Sequence, residues 1–166
     1  MGAKEQVYKS EIEQDGIFDF KKLYNFAYDF LKSKNYDVTE TSYSEKVGAE
    51  GKEIEVKWDI EKKVTDYVKY IGKVKMTLKN LKSVEVQKDG KKENSNKGSI
   101  KVSVGGEVET DYSGKWDSTP TLQFMRGIYD KFVIKGRVGE LTGAYASDLD
   151  DLIGQLKSFL VLEGIK

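Results

Sequence analysis

The segment GELTGAYASDLDDLIGQLKSFLVL, residues 139–162, decides how the rest of the chain must fold. Its apolar residues recur at steps of three and four, which places them on one face of an amphipathic helix. The residues of this stripe are Leu141, Tyr145, Leu149, Leu152, Ile153, Leu156, Phe159 and Leu160. Because most of the stability of such a helix comes from packing of its apolar face, the chain must supply an apolar surface elsewhere.

That surface is predicted in the middle of the chain, where apolar and charged residues alternate. Residues 53–61 are the clearest case, and the apolar members are Ile54, Val56, Trp58 and Ile60. Such alternation is typical of a strand with one buried and one solvated face. The same parity continues in a long strand with a bend at Gly72. Its predicted buried residues are Val64, Val68, Tyr70, Val74, Met76 and Leu78.

Further elements are predicted on either side of these two strands, from apolar spacing and from Gly and Asp-Gly turn signals. In chain order they are an edge strand at residues 6–13, a helix at 18–34, a strand at 36–47 with a turn at Gly48–Gly51, a short strand at Val84 and Val86, a charged loop at 88–97, and a return strand at 100–112 with a bulge at Gly105–Gly106. The predicted sheet therefore has about six antiparallel strands.

The stretch between this sheet and the final helix is ambiguous. Thr119 or Ser118 can cap a helix that begins at Pro120, and helical spacing favours a helix as far as residue 134. Residues with β propensity near Phe132 leave a strand open as the alternative. The next four residues, 136–139, are interpreted as a helix cap and turn. They also have the Gly-x-x-Gly form of the RNA-clamping loop of KH domains.

Composition excludes several classes of function. The chain has 166 residues, the size of one domain, and contains neither Cys nor His. A disulfide framework and a thiolate metal site are therefore excluded, and the commonest general base is missing. With 28 basic and 28 acidic residues the net charge is zero, which gives no global attraction for nucleic acid. No signal core or membrane span is found, so we predict a soluble, cytoplasmic protein.

No motif predicts a catalytic residue, a cofactor or a metal site. Asp148, Asp150 and Asp151 could hold a cation, but they lie opposite the apolar stripe and are interpreted as a solvated face. The lysines of residues 88–97 have no aromatic residues between them. We interpret that segment as a disordered hairpin tip, and nucleic acid is not an expected partner.

The order of elements resembles the START-like, or helix-grip, superfamily. The resemblance is carried by residues 54–60, the long strand with Gly72, the strand with Gly105–Gly106 and the stripe from Leu141 to Leu160. It implies one domain over residues 1–166 with an α+β fold. A curved antiparallel sheet would wrap around the long C-terminal helix, with an N-terminal helix after the first strand. Members of the superfamily often enclose a cavity for a lipid or another apolar molecule.

The inward parity of the sheet suggests where such a ligand would bind. Polar side chains on that face need partners within the fold or on a ligand. The predicted ligand-binding residues are Trp58, Asp66, Tyr70, Tyr112, Tyr145 and Leu149. Alternatively, Asp66 lies in solvent at a strand end and the tyrosine hydroxyls reach the rim.

Three functions follow from this reading of the sequence. The first is non-enzymatic binding of a small hydrophobic molecule between sheet and helix. The second is a protein interaction or homo-oligomeric assembly module with a filled cavity, whose partner contacts an edge strand or a helix face. The third is contact with RNA or a ribosome through residues 88–97, which a salt-dependent filter-binding titration would test.

Overall fold

An open antiparallel sheet and a long C-terminal helix make up most of the fold. The computed structural model describes residues 3–112, 120–128 and 135–164. In chain order the elements are β1 (Ala3–Phe18), α1 (Phe20–Ser33), β2 (Asp37–Gly48), β3 (Gly51–Lys63), β4 (Val68–Lys88), β5 (Lys91–Thr110), α2 (Pro120–Ile128) and α3 (Lys135–Gly164). Over these ranges no helix is both long and apolar enough to cross a membrane.

The strands are ordered β1-β5-β4-β3-β2, and every neighbouring pair is antiparallel. The predicted α+β class, with an antiparallel sheet and a C-terminal helix, is confirmed. Five strands are described rather than about six, because the short strand predicted at Val84 and Val86 is part of β4. The pairing of β4 with β5 shifts between Lys79 and Lys82, next to Asn80 at φ 54°, and then resumes.

The charged segment 88–97 was predicted as a disordered hairpin tip; the hairpin is present, but the disordered loop is wrong, because most of the segment is strand. A two-residue turn at Asp89 and Gly90 joins β4 to β5, and both residues have positive φ. Asp-Gly is a preferred pair for such a hairpin turn, because both positions require left-handed backbone. Pairing runs up to Lys88 opposite Lys91, which leaves only the turn itself outside the ladder.

The buried face of the sheet follows the predicted parity. Helix α3 covers it with the stripe that was predicted from its spacing, including Leu149, Leu152 and Leu156. Helix α1 contributes Leu23, Ala27 and Leu31 to the same core, and its first turn is capped by the Asp19 carboxylate, which accepts from Lys22 N at 3.1 Å. The buried apolar strand residues are Ile12, Phe18, Ile54, Val56, Trp58, Ile60, Val68, Tyr70, Val74, Met76, Leu78, Leu81, Ile100, Val102, Val104 and Val108.

Helix α1 ends in a Schellman motif that fixes the next side chain. Tyr36 N donates to Leu31 O and Asn35 N donates to Lys32 O, both at 3.0 Å. Asn35 lies at φ 68°, the left-handed conformation that this motif requires. Tyr36 is thereby turned back towards the helix and is buried in the core.

Two predictions based on glycines were wrong. The irregularity near Gly105–Gly106 lies on the neighbouring strand, where β1 accommodates Val7 as an extra residue opposite the continuous β5. Residues 136–139 form neither a turn nor a KH-type loop, because α3 already begins at Lys135. The helix predicted from Pro120 is present over Pro120–Ile128, and its predicted continuation through residues 129–134 lies outside the described residues.

Candidate functional site

Three tyrosines occupy the sheet–helix interface towards the N-terminal end of α3. Tyr70 of β4 and Tyr145 of α3 stack face to face, with ring centroids 4.2 Å apart and an interplanar angle of 3°. Tyr36 lies against both, at 5.8 Å from Tyr145 and 6.3 Å from Tyr70. All three are buried. This tyrosine stack occupies the region where the sequence predicts a ligand.

Each hydroxyl of the tyrosine stack donates a hydrogen bond within the protein. The Tyr36 hydroxyl donates to Asp148 Oδ2 at 2.9 Å, and those of Tyr70 and Tyr145 donate at 2.6 Å to the carbonyl oxygens of Leu141 and Ile71. Burial is the main cause that raises the pKa of each of the three hydroxyls, and the Asp148 carboxylate adds to it. The hydroxyls are therefore neutral donors at physiological pH.

Two glycines on the neighbouring strands β4 and β5, Gly72 and Gly106, make room for α3. A Cβ built at Gly72 would lie 2.6 Å from both the Tyr145 hydroxyl and Gly105 O. A Cβ at Gly106 would lie 2.5 Å from Leu149 Cδ1 and 2.9 Å from the Tyr145 ring. Gly72 and Gly106 are paired across β4 and β5, so their missing side chains form one recess for Tyr145 and Leu149. The recess is filled by the protein's own side chains.

Trp58 lies apart from the tyrosine stack, under α1. Its ring makes edge contacts with Tyr24 and Tyr28 at centroid distances of 5.0 and 6.0 Å, and its Nε1 donates to Glu40 Oε1 at 3.3 Å. The Tyr24 hydroxyl donates to the same oxygen at 2.6 Å, and burial together with this bond raises the pKa of Tyr24 to about 12. This cluster seals the edge of the core between α1 and β2.

Asp66 and Tyr112 do not face the interface, and their predicted inward placement was wrong. Asp66 is exposed in the turn between β3 and β4, where Thr65 Oγ1 accepts from Tyr67 N and Val68 N and interrupts the alternation. Tyr112 follows Asp111, whose φ is 50°, so strand parity no longer applies to it. Its hydroxyl donates to Thr65 O at 2.8 Å, and its ring lies under the Lys69 ammonium.

Four of the predicted ligand-binding residues do lie on the inner side, namely Trp58, Tyr70, Tyr145 and Leu149. The sequence reasoning missed Tyr36 and the role of Asp148, which was interpreted as solvated. The signal for Tyr36 was available, since an apolar residue that follows Asn at a helix C-terminus packs back on that helix. Asp150 is exposed, as its predicted place on the solvated face requires, and it accepts from the Tyr8 hydroxyl at 3.1 Å. Over the described ranges, no group of three or more acidic residues could hold a metal ion.

The edge strand β2 is accessible, unlike the buried tyrosine stack. It pairs with β3 alone, and its other side faces no strand within the described part of the chain. Tyr43 is 48% exposed and Val47 82% exposed. Tyr43 lies opposite the buried Val56, so its side chain continues the core face beyond β3, and Val47 lies on the same face of β2 opposite Lys52. We call them the β2 apolar edge.

A groove opens beside the β2 apolar edge. It has a volume of about 240 Å³, and Phe20, Ile54 and Leu81 form its apolar wall. Glu45 and Lys52 line it as an ion pair at 2.9 Å. An apolar side chain placed there would contact buried residues of α1, β3 and β4.

No protein-family model matches the chain, and no curated protein matches it. The antiparallel sheet with its C-terminal helix is compatible with a helix-grip fold.

Proposed function

We propose that this chain is a START-like domain that acts as a non-enzymatic protein interaction module, with an extended segment of a partner adding to β2. One observation carries the proposal. The core face continues onto the β2 apolar edge, where Tyr43 and Val47 are exposed, whereas the sheet–helix interface is occupied by the tyrosine stack. Strand addition supplies main-chain hydrogen bonds to a free edge and pockets for alternate side chains.

The geometry of β2 defines the chemistry of the partner segment. Its residues should alternate, with apolar side chains beside Tyr43 and Val47, which flank Glu45 on the same face, and polar ones on the other face. One apolar side chain would enter the groove beside Phe20 and Ile54. On the opposite face Ser44 and Lys46 favour hydroxyl or acidic residues in the partner.

The test is selection of a phage-displayed library of random twelve-residue peptides on the purified chain. We expect recovered peptides to alternate apolar and polar residues and to bind Tyr43→Lys/Val47→Lys at least tenfold more weakly. Lysine on an edge strand opposes strand addition, and both side chains are exposed, so this variant should fold. The control is Val161→Lys, which changes an apolar residue on α3 that is 53% exposed.

Three outcomes would contradict the proposal. Peptides that bind the double variant as tightly as the unmodified chain would place the contact elsewhere. Failure to recover any peptide, with a monomeric chain in native mass spectrometry, would remove strand addition altogether. A dimer abolished by Tyr43→Lys/Val47→Lys would show that β2 binds a second copy, not a different partner.

Binding of a small hydrophobic molecule between the sheet and α3 is the second candidate. The tyrosine stack favours it, because three aromatic faces with polar hydroxyls are concentrated at one end of the sheet–helix interface. A ligand there must separate Tyr70 from Tyr145. Native mass spectrometry should then detect a bound mass that is lost on denaturation, and lost in Tyr145→Ala. A bare chain mass, after incubation with a mixture of fatty acids and sterols, would rule this candidate out.

A further inference from the structure

The outer face of the sheet, opposite α1 and α3, carries an open depression of about 520 Å³. Its centre is Gly105 of β5, which pairs with Lys9 of β1 on one side and with Lys73 of β4 on the other. A Cβ built at Gly105 would meet only Tyr8 O, at 3.9 Å. The strands that carry the two lysines lie about 10 Å apart, two strand spacings. Gly105 therefore leaves a notch between two ammonium groups.

Two more lysines line the same depression. Lys75 follows Lys73 on the same face of β4, and its partner across the ladder is Lys57 of β3. Like charges that face each other across two strands are destabilising. Together with Lys9 they form what we call the outer lysine cluster.

Within the described chain, three members of the outer lysine cluster have no ion-pair partner. Only Lys57 has one, Glu55 at 3.3 Å, whereas Lys9, Lys73 and Lys75 have none. Two other lysines of the same face are compensated, Lys101 by Glu11 and Glu13 and Lys69 by Glu61 and Glu109. The Lys57–Lys75 pair therefore places two like charges side by side in the depression, while Lys73 lies opposite Asp59 across the same ladder.

The depression also contains two carboxylates, those of Asp59 and Glu107. Its lining therefore holds four lysines against two acids, and because Lys57 is paired with Glu55 it keeps an excess of one positive charge, in a chain whose net charge is zero. Lysine ammonium groups bind phosphate oxygens as point charges. The volume falls in the range of small-molecule sites, roughly 300–1,000 Å³.

We propose that the outer lysine cluster binds a small soluble molecule that carries two or more phosphate groups. One phosphate would lie over Gly105 between Lys9 and Lys73, and the next between Lys75 and Lys57. This site shares no side chain with the β2 apolar edge, so it stands or falls independently of the proposed interaction function.

The experiment is isothermal titration calorimetry of the full chain with sodium tripolyphosphate. Lys73→Gln or Lys75→Gln should weaken binding by about three- to tenfold, the loss of one charge-assisted contact. Lys79→Gln is the matched control, because it removes the same charge from the same face of β4, and it should leave binding unchanged.

A second variant separates a shaped site from diffuse charge. Gly105→Val keeps every charge, and there is open space for its side chain. β-branched residues also suit strands, so this variant should fold. We expect it to abolish binding by filling the notch.

Several results would overturn the proposal. The first is that tripolyphosphate does not bind below millimolar concentration. The second is that Lys73→Gln and Lys79→Gln lose the same amount of affinity, and the third is that Gly105→Val binds as tightly as the unmodified chain. A parallel arm uses vesicles that contain phosphatidylinositol bisphosphate. Tighter binding to these vesicles than to tripolyphosphate would assign the phosphates to a lipid headgroup and refute a soluble ligand.

Discussion

Replacement of Gly106 by alanine should strongly destabilise the fold. The new methyl group would lie 2.5 Å from Leu149 Cδ1 and 2.9 Å from two carbons of the Tyr145 ring. Carbon atoms normally pack about 3.5–4.0 Å apart, so roughly 1 Å of overlap must be relieved. The Leu149 methyl can rotate away. The Tyr145 ring cannot move freely, because Tyr70 stacks on it at 4.2 Å and its hydroxyl donates to Ile71 O.

The magnitude follows from these contacts. Overpacking of a dense core costs about 1–3 kcal/mol, and displacement of the Tyr145 hydroxyl would cost roughly a further 1 kcal/mol. We therefore expect Gly106→Ala to lower the free energy of unfolding by about 2–4 kcal/mol. Urea unfolding followed by circular dichroism should show a midpoint lower by about 1–2 M with an unchanged slope.

Gly105→Ala is the matched control, one residue along the same strand. Its Cβ points to the outer face, where the nearest atom is 3.9 Å away. Both substitutions reduce the entropy of the unfolded chain equally, so the control should be neutral or stabilising by about 0.5–1 kcal/mol. In Gly106→Ala/Leu149→Ala the two losses should be less than additive, because the second change removes one clash. Equal midpoints for the two alanine variants would refute the packing described for α3.

Two further predictions concern the tyrosine stack and the end of α1. Burial raises the pKa of Tyr36, Tyr70 and Tyr145 in the folded state, whereas tyrosines of the unfolded chain ionise near pH 10.0. The free energy of unfolding should therefore be constant with respect to these groups below pH 10 and should fall above it. Each buried tyrosine adds about 1.4 kcal/mol per pH unit to this decline, so the unfolding free energy of Tyr36→Phe should fall less steeply with pH. Equal slopes for Tyr36→Phe and the unmodified chain, measured by urea unfolding at several pH values, would argue against the burial of Tyr36. Asn35→Gly should match or exceed the unmodified chain in stability, whereas Asn35→Val should cost about 1–2 kcal/mol, because only the latter opposes a φ of 68°. Equal stabilities of the two Asn35 variants would contradict the Schellman motif.

Most of the sheet could be predicted because its alternation is rarely interrupted. The alternate residues Ile54, Val56, Trp58 and Ile60 face inward as their parity indicates, and so does the stripe of α3. The failures lie where a local hydrogen bond or a left-handed residue resets the parity. Thr65 does so ahead of Asp66, and Asp111 does so ahead of Tyr112. Neither event changes the hydrophobic pattern on which the prediction rests.

The tyrosine stack was only partly predictable. Tyr70 and Tyr145 follow from periodicity, but their face-to-face contact depends on which strand lies beneath α3. Pairing of Gly72 with Gly106 is likewise a property of the register between β4 and β5, which single strands do not encode. The outer lysine cluster has the same origin, since its lysines come from three strands and are separated along the chain. Spacing along one segment cannot reveal any of these contacts.

The strand order also constrains the route by which the chain folds. Three of the four strand pairings join neighbours in sequence, and each can form as a local hairpin. The fourth pairing joins β1 to β5, from Ala3 with Thr110 to Phe18 with Asn96. Much more chain lies between these strands, so the entropy lost in bringing them together is larger. During synthesis β1 leaves the ribosome long before its partner β5. It also leaves before α3, which it contacts through a hydrogen bond from the Gln14 side chain to the Leu160 carbonyl oxygen. Strand β1 is therefore the last of the five described strands to find its place, and until then the β5 edge is open to the wrong partner.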